Sequence, residues 1–502
     1  MLFTQFEFIF VFIPITLIGY FNISKIFPQP AAQVIWLAAA SLVFYGYWDI
    51  RFVPIIVVSI VANYLFGRAI SASPPGSSRR KTLLITIIAG NLLALAFFKY
   101  TNFGINTYNA LAGSAVRNLP MVLPLGISFF VFTQIAYLVD VYAGYPSERN
   151  FSKYVLFVTY FPHLIAGPIL HHSEMMPQFG AEANRRFSAE RFAIGITIFA
   201  IGLFKKAVIA DGFALMATPV FARAATGDLA FHDAWYGALA YALQIYYDFS
   251  GYSDMAIGLS TIFRISLPFN FDAPYKSQSI IEFWRRWHIS LSRFLRDYLY
   301  FPLGGNRRGE LMRNANLAAT MLLGGLWHGA GWTFVIWGGL HGMYLAINHT
   351  WSRLIKHVPM LARFSTTRSY AILALLLTQF CVVVAWVFFR ATSFHASIRM
   401  LSAMFRIGAK NLSEYTSLVD HSALAAIGIG YLICLLLPNV NDLFRDFNVG
   451  LRIYDNPRTW SLVQWRWEPR TVWALASVGM LAIGLFVTLV SGDLSPFLYF
   501  QF

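Results

Sequence analysis

Apolar runs about as long as a bilayer is thick recur along almost the whole chain, and they constrain its fold more than any other feature. Phe6–Phe21 reads FEFIFVFIPITLIGYF and Phe52–Phe66 reads FVPIIVVSIVANYLF. Such runs approach the ~20 apolar residues that a helix needs to cross a membrane. Only 12% of the 502 residues are charged, whereas a soluble domain carries about a quarter. The sequence therefore predicts an all-α, multi-pass integral membrane protein.

These runs predict thirteen membrane helices, with a shorter piece at 103–113 that has the length of a re-entrant segment. The connector 71–81, SASPPGSSRRK, is polar and basic, which indicates a cytoplasmic position and puts the N-terminus outside. Because no cleavable leader pattern precedes the first run, we expect that run to stay as a helix. No repeat or flexible linker divides residues 1–502, which predicts one integral domain. The predicted spans lie near 6–24, 32–48, 51–70, 82–100, 120–142, 153–170, 189–212, 231–262, 314–327, 331–349, 371–391, 421–437 and 472–491.

The positive net charge of +15 does not indicate nucleic-acid binding. Arg79–Lys81, Arg185–Arg186 and Lys205–Lys206 are assigned to short connectors, where basic residues set the orientation of membrane proteins. Anionic lipid headgroups are sufficient partners for them, and Arg185–Arg186 and Lys205–Lys206 are also candidates for docking a phosphorylated donor. The two cysteines each lie inside an apolar run, which excludes a disulfide framework and a zinc cluster.

Two acids, Asp248 and Asp254, lie in an aromatic and glycine-rich stretch, YALQIYYDFSGYSDMAIGL from residue 241. Two interpretations stay open for them. Each carboxylate is either hydrogen-bonded within the helix bundle, or it lines a polar passage and orients a catalytic histidine. The following NFDAPY is typical of the end of a span.

The next segment, Ser279–Tyr300, is predicted to be one amphipathic helix at a membrane surface or a cavity rim. Its apolar stripe contains Trp284 and Trp287, and its arginines lie opposite, where they would meet phosphates of a nucleotide-bearing donor or of lipids. His288 lies at the edge of the stripe. Either it makes an interfacial hydrogen bond, or it takes part in catalysis.

His328 stands in GGLWHGAGW, at the end of an apolar run and among four glycines. Glycine permits close backbone approach and lowers helix stability, so its density here needs a reason. A neutral buried imidazole takes a proton from a hydroxyl, which makes His328 a candidate general base. His341 is assigned to helix packing. His163, His171 and His172 do not form a ligand pattern, so no metal site is predicted.

The stretches Trp284–Asn306 and Gly324–Gly342 together resemble the signature of the membrane-bound O-acyltransferase family. Similar stretches include PLGISFFVFTQIAYLVDVY, FPHLIAGPILHHSEMMPQF, IYYDFSGYSDMAIG and the ending SPFLYFQF. The resemblance covers nearly the whole chain and is closest to the bacterial alginate O-acetyltransferase membrane subunits.

The resemblance implies a bundle of transmembrane and re-entrant helices curved around a central tunnel. It implies that His328 is the catalytic histidine and that His288 is the second functional position. Trp327, Trp287, Asp248 and Arg296 would line or support the tunnel.

It also implies that the enzyme works in the bacterial inner membrane without a permanently bound cofactor. The donor would be acetyl-coenzyme A or an acylated carrier, and the acceptor an exported polysaccharide or a periplasmic acetyltransferase partner. The alternative function is a conduit that passes an acyl species to a partner protein. A glycan synthase is disfavoured because no nucleotide-sugar domain is present.

Overall fold

The computed structural model describes residues 1–407, 417–419, 421–454, 461–490 and 497–498. Within these ranges the chain is overwhelmingly helical, which confirms the predicted all-α class. Six helical stretches there are long and apolar enough to cross a membrane, as expected of a multi-pass protein. They are Phe8–Ile26, Ile50–Ala72, Ser78–Ala112, Ala189–Thr226, Arg368–Arg390 and Thr471–Val490.

The first part of the chain contains long helices and, at residues 144–188, a stretch broken into short ones. The π-helical segment Glu7–Phe12 runs directly into α1. The helices are α1 (Ile13–Ile26), α2 (Pro30–Gly46), α3 (Val53–Ala72), α4 (Ser78–Ala112), α5 (Ile127–Ala143), α6 (Phe151–Thr159), α7 (Phe161–Leu164), α8 (His172–Met175), α9 (Ala189–Phe204) and α10 (Asp211–Thr226).

The second part begins with the long helix α11 and carries the two histidines singled out above. A two-residue parallel pair joins β1 (Leu267–Pro268) to β2 (Gly450–Leu451). The helices are α11 (Phe231–Ile262), α12 (Ile280–Arg286), α13 (Ile289–Leu295), α14 (Gly309–His328), α15 (Trp332–His357), α16 (Pro359–Ser365), α17 (Arg368–Arg390), α18 (Phe394–Met404), α19 (His421–Leu436), α20 (Val440–Leu443) and α21 (Thr471–Val490).

Three predicted segments, one short piece and two spans, differ from the observed helices. The expected short piece at 103–113 is the last part of α4, which is continuous over 35 residues. The span expected at 153–170 is broken, since α6 ends at Thr159 and only the short α7 follows. Pro162 and Pro168 explain the break, because proline disrupts a helix interior. The span expected at 189–212 continues to Thr226 through the π-helical segment Lys205–Ala210.

Helix α11 is buried along most of its length and packs closely on α9 through glycines. A Cβ atom added to Gly258 would lie 2.6 Å from the carbonyl oxygen of Gly195. A Cβ atom added to Gly202 would lie 2.6 Å from the carbonyl oxygen of Gly251. Small residues allow such backbone approach between membrane helices, where packing rather than hydrophobicity drives association. The α9–α11 pair therefore forms a rigid support beside the site.

The structure corrects the assignment of Lys205 and Lys206 to a connector. Both lie within the continuous helical stretch that joins α9 to α10. The ammonium nitrogen of Lys205 lies 2.6 Å from Asp254, and that of Lys206 lies 2.8 Å from Asp248 and 2.7 Å from Asp211. A charge inside a membrane protein is costly unless it is paired, and these lysines are paired with acids of the bundle.

Candidate active site

His328 is the last residue of α14, where the chain leaves one helix before entering the next. Gly329 and Gly331 are extended, and α15 begins at Trp332. The break means that His328 and the residues after it do not lie on one continuous helix. The imidazole is buried, with 4% of the residue exposed. The glycines of the sequence motif thus place His328 at a helix end inside the protein.

The α14–α15 hairpin is held together by two close backbone approaches. A Cβ atom on Gly325 would lie 2.2 Å from the carbonyl oxygen of Phe334. A Cβ atom on Gly338 would lie 2.2 Å from the carbonyl oxygen of Met321. No real Cβ atom fits at such distances, so only glycine allows the two helices this spacing. The hairpin fixes the position of His328.

The predicted continuous helix at Ser279–Tyr300 is wrong, because it is interrupted at His288. Helix α12 ends at Arg286, Trp287 is extended, and α13 begins at Ile289. His288 has φ 42° and ψ 54°, in the left-handed region that few non-glycine residues occupy. The residue is completely buried rather than at the edge of a surface stripe. Backbone strain of this kind persists only where surrounding contacts enforce it, and it concentrates at functional sites.

The break at His288 is enforced by the segment that follows β1. The backbone N–H of Ile289 donates to the carbonyl oxygen of Asn270 at 2.9 Å. The hydroxyl of Ser290 donates to the side-chain oxygen of Asn270 at 2.6 Å. The backbone N–H of Asp272 donates to the carbonyl oxygen of Arg286 at 3.0 Å. These bonds replace the helical bonds that are lost at the break.

Two arginines of this segment form ion pairs with acids of the protein. Arg286 is buried, and its guanidinium lies 2.9 Å from Glu282 and 3.2 Å from Asp272. The guanidinium of Arg293 lies 2.6 Å from Glu174. Both cations are used within the protein. The expected meeting of arginines in this segment with phosphates stays a prediction.

The two helix breaks bring His288 and His328 together. Their ring centroids lie 6.1 Å apart, with the ring planes inclined by 58°. Trp327 lies beside both, with centroid distances of 5.0 Å to His328 and 6.2 Å to His288. Phe249 of α11 contacts His288 edge-on at 4.7 Å, and Phe389 of α17 contacts His328 at 5.3 Å. The pair thus lies within an aromatic shell contributed by several helices.

A cavity of about 280 Å³ reaches His328 and contains a lysine that the sequence analysis missed. The ammonium group of Lys99 in α4 lies 2.5 Å from the carbonyl oxygen of Trp327 and 3.1 Å from that of His328. A lysine inside a predicted span was a signal for function on its own, because intramembrane charge is rare. The lining comprises Trp48, Lys99, Val122, Leu123, Pro124, Leu125, Gly126, Ile127, Ser128, Phe129, Ile165, Trp327 and His328.

The residues expected to support His288 and His328 have different surroundings. Trp287 is buried and packs on Trp386 with ring centroids 5.0 Å apart. Asp248 does not orient a histidine, because its carboxylate oxygens contact Lys206 and the backbone N–H of Leu498. Its role is that of a buried counter-ion.

Arg296 lies at the start of the π-helical segment Arg296–Tyr300, one residue past α13. Its guanidinium pairs with Asp297 at 2.7 Å and donates to the hydroxyl of Tyr454 at 3.0 Å. Neither of these two partners is His288 or His328. A supporting role for Arg296 stays a prediction.

His341 lies in the same aromatic layer as the pair and accepts a hydrogen bond. The indole N–H of Trp284 donates to its Nδ1 atom at 3.2 Å. Trp337 lies between His341 and His328, with ring centroids at 4.9 Å and 5.1 Å from them. A packing role agrees with these contacts.

Two other histidines gather around an acid. The hydroxyl of Tyr298 donates to Asp140 at 2.7 Å and lies 3.0 Å from His171, and His172 lies 3.3 Å from the same carboxylate. His163 instead contacts the carbonyl oxygen of Phe157 at 3.0 Å. Within the described ranges, no set of three His, Cys, Asp or Glu residues is arranged to hold a metal ion.

The chain is similar to several known proteins of one family. The model of the membrane-bound O-acyltransferase family matches residues 141–377, a range that contains both His288 and His328. A peptidoglycan O-acetyltransferase of Helicobacter pylori is 39% identical over 99% of this chain and 96% of its own length. A probable alginate O-acetylase, AlgI, of Pseudomonas putida is 40% identical over the full length of both chains. A teichoic acid D-alanyltransferase of Streptococcus thermophilus is 28% identical over 47% of this chain and 59% of its own.

The chain belongs to the membrane-bound O-acyltransferase family. It is a multi-pass membrane enzyme that transfers acyl groups to oxygen. The resemblance noted in the sequence is thereby confirmed, and the buried histidine pair acquires a chemical context.

Proposed function

We propose that this enzyme transfers acetyl groups from a cytoplasmic thioester donor toward an exported polysaccharide, with His328 as general base. The observation that carries the proposal is the burial of His288 and His328 with ring centroids 6.1 Å apart. Each lies at a break in a helix, and a cavity reaches His328. Two imidazoles in such a position are costly to bury, so a chemical role is the simplest reason for them.

In the proposed reaction, His328 removes the proton from an acceptor hydroxyl as the oxygen attacks the thioester carbonyl carbon. General-base catalysis of this kind contributes about 10²–10⁴-fold to the rate. The carbon–sulfur bond then breaks. The leaving thiolate takes up the proton that His328 had accepted. The enzyme thus returns to its starting state, and the products are an ester and a thiol.

His288 and Trp327 are suited to the negative charge that develops on the carbonyl oxygen. His288 would orient the acceptor or stabilise the oxyanion. The indole N–H of Trp327 is buried and has no hydrogen-bond partner within the described part of the chain. A preorganised donor aimed at a developing oxyanion is among the strongest contributions to catalysis. Trp327 therefore enters the proposal as a second donor.

The donor and acceptor classes are supported by the relatives rather than by a bound ligand. Two of the similar proteins are described as a probable alginate O-acetylase and a peptidoglycan O-acetyltransferase, which favours acetyl as the group and an exported glycan as its destination. The donor would be acetyl-coenzyme A or an acylated carrier. The direct acceptor would be the glycan or a serine of a periplasmic partner, and the enzyme would work in the bacterial inner membrane.

A turnover assay with purified protein tests the proposal against the conduit alternative. The enzyme in detergent or lipid nanodiscs is given acetyl-coenzyme A and a soluble alcohol or glycan acceptor, and free thiol and acetyl ester are measured. We expect the wild type to release thiol with multiple turnovers and His328→Ala to release none above background. A wild-type protein that binds the donor without ever releasing thiol is the result expected of a conduit, and it would overturn the proposal.

A further inference from the structure

Lys99 lies in an otherwise apolar part of α4, and its contacts define a role at the active site. The stretch LLALAFFKYTNF around it contains no other charged residue. The ammonium group is partly buried and lies near three oxygens, those of Trp327 at 2.5 Å, His328 at 3.1 Å and Ser128 at 3.5 Å. Three acceptors match the three N–H bonds of an ammonium group. Lys99 is thus committed to contacts inside the protein.

Two of these acceptors are carbonyl oxygens at the end of α14. The last four carbonyl groups of a helix have no partner within that helix and need one from elsewhere. The hydroxyl of Tyr100, the next residue of α4, donates to the carbonyl oxygen of Leu326 at 2.9 Å. Lys99 and Tyr100 therefore satisfy three successive carbonyl groups, Leu326 to His328. A positive charge at a helix C-terminus also interacts favourably with the helix dipole.

Lys99 faces the same cavity as His328. It is the one lysine or arginine among the residues that line the 280 Å³ space. The other lining residues carry no charged side chain, and His328 is the one imidazole among them. The cavity volume is slightly below the ~300 Å³ at which small-molecule sites begin, so it suits one hydroxyl-bearing group rather than a whole polysaccharide strand.

The position of this cavity along α4 places it away from the basic connector 71–81. Arg80, at the start of α4, donates to the carbonyl oxygens of Val141 and Tyr142 at the end of α5. Lys99 follows Arg80 by 19 residues, which is about 28 Å along a helix axis. The cavity wall formed by 122–126 precedes α5, at the end of α5 opposite to Tyr142. With the connector in the cytoplasm, the cavity lies toward the periplasmic side.

We propose that Lys99 is a positioning residue of an acceptor-side chamber, where it holds the C-terminal end of α14 and so aims His328 at the acceptor hydroxyl. The inference rests on the proposed function of His328 as base. Lys99 is neither base nor nucleophile in this role, because its three N–H bonds are directed at protein oxygens. Loss of its hold would displace the imidazole. A misplacement of about 1 Å at a reacting group costs about a hundredfold in rate.

The test compares variants of Lys99 with a matched variant of its neighbour. Lys99→Met removes the charge and the donors, Lys99→Gln keeps two donors, and Lys99→Arg keeps both charge and donors. Tyr100→Phe removes one neutral hydrogen bond to the same helix end. For each purified protein, kcat and KM are measured with acetyl-coenzyme A and a soluble acceptor, and folding is checked by thermal unfolding.

We expect Lys99→Met and Lys99→Gln to lower kcat by about tenfold to a hundredfold, with the KM for the donor changed less than about twofold. Lys99→Arg should recover most of the lost kcat, and Tyr100→Phe should lose less than about threefold. If Lys99→Met does not fold, the comparison of Lys99→Gln with Lys99→Arg carries the test.

Two outcomes would overturn the inference. One is a folded Lys99→Gln protein with wild-type kcat. The other is a folded Lys99→Arg protein whose kcat is not restored, together with a Tyr100→Phe protein that loses as much kcat as Lys99→Gln. That pattern is expected of a purely structural contact. Either result together with an inactive His328→Ala protein leaves the proposed function intact. An active His328→Ala protein removes both.

Discussion

His288 and His328 meet with their ring centroids 6.1 Å apart although 40 residues separate them, because each sits where a helix stops. One break needs two extended glycines, and the other holds a non-glycine residue at φ 42°. A helix that continued through either position would carry its histidine to another height and another face. The site is therefore a product of interrupted helices rather than of regular ones.

Substitution of the proposed base tests the role of His328 in the cell. We expect His328→Ala to reduce acetylation of the exported polymer by at least about a hundredfold, since a general base contributes about 10²–10⁴-fold. The protein should still be present in the membrane fraction, because loss of one imidazole leaves the glycine contacts of α14 and α15 in place. Ester content of the purified polymer and immunoblotting of membranes measure the two effects. Normal ester content would contradict the assignment.

Because His288 has a left-handed backbone conformation, substitutions there can separate the effect on stability from the effect on activity. Asparagine tolerates the left-handed region better than alanine and keeps a hydrogen-bonding group. We expect His288→Asn to unfold at a higher temperature than His288→Ala and to retain more activity. His288→Gly should match or exceed His288→Asn in thermal stability and still lack activity.

A His288→Gly protein that is stable but inactive would show that the imidazole has a role beyond the backbone conformation. Thermal unfolding and turnover are measured on the same preparations. Equal kcat in the wild type and His288→Gly would show that the ring itself is dispensable.

The indole N–H of Trp327 offers a test of oxyanion stabilisation. Trp327→Phe keeps an aromatic ring next to Phe132, with which Trp327 stacks at 5.2 Å, and removes only the donor and some volume. Loss of one oxyanion donor costs about 10²–10³-fold in kcat when it is a principal one. We expect a fall in kcat of about tenfold or more with little change in KM. An unchanged kcat would assign the donor role to His288 alone.

The two histidines differ in how far the sequence alone could locate them. The end of α14 has a local cause, since the glycines that break the helix flank His328 in the chain. The break at His288 has a distant cause, because Asn270 holds the backbone of Ile289 and Ser290. The apolar periodicity of Ser279–Tyr300 runs through the break unchanged. A pattern read along the chain therefore predicted one helix where tertiary hydrogen bonds impose two.

The charged residues show the same difference between local causes, which the sequence reveals, and distant ones, which it does not. Helix α11 is found at 231–262 as expected from its apolar run. Lys206, however, is neutralised by Asp248, which lies 42 positions further on in a different helix. Nothing adjacent to Lys206 in the chain signals that partner. For this reason the pair Lys205–Lys206 resembled a connector in the sequence and proved to be part of the bundle. The central tunnel that the family resemblance implies remains a prediction.

The ion pair of Asp248 and Lys206 predicts a stability effect without a catalytic one. Asp248→Asn leaves Lys206 paired with Asp211 at 2.7 Å and removes one buried charge–charge contact. Hydrogen bonds to charged groups contribute about 1.5–3 kcal/mol, so we expect a loss of that order in the free energy of unfolding. Turnover per folded molecule should remain close to that of the wild type.

Thermal unfolding in detergent and the turnover assay distinguish the two. A large loss of kcat in fully folded Asp248→Asn protein would restore a direct role for the carboxylate at the site.

The glycine contact between α14 and α15 predicts that a single methyl group disturbs the active site. In Gly338→Ala the new Cβ atom would lie 2.2 Å from the carbonyl oxygen of Met321, so the helices must separate. We expect reduced thermal stability and a lower kcat, because the hairpin that carries His328 is forced apart. Gly90→Ala is the matched control in a membrane helix, since among the described residues a Cβ atom there would meet nothing within 4 Å beyond its own helix backbone.

Gly90→Ala should leave kcat unchanged and either preserve or slightly raise the unfolding temperature, because alanine is favoured over glycine in helices by about 1 kcal/mol. Wild-type stability and kcat in Gly338→Ala would mean that the two helices can move apart without moving His328. A loss in Gly338→Ala that Gly90→Ala does not share ties the spacing of the hairpin to the chemistry at its end.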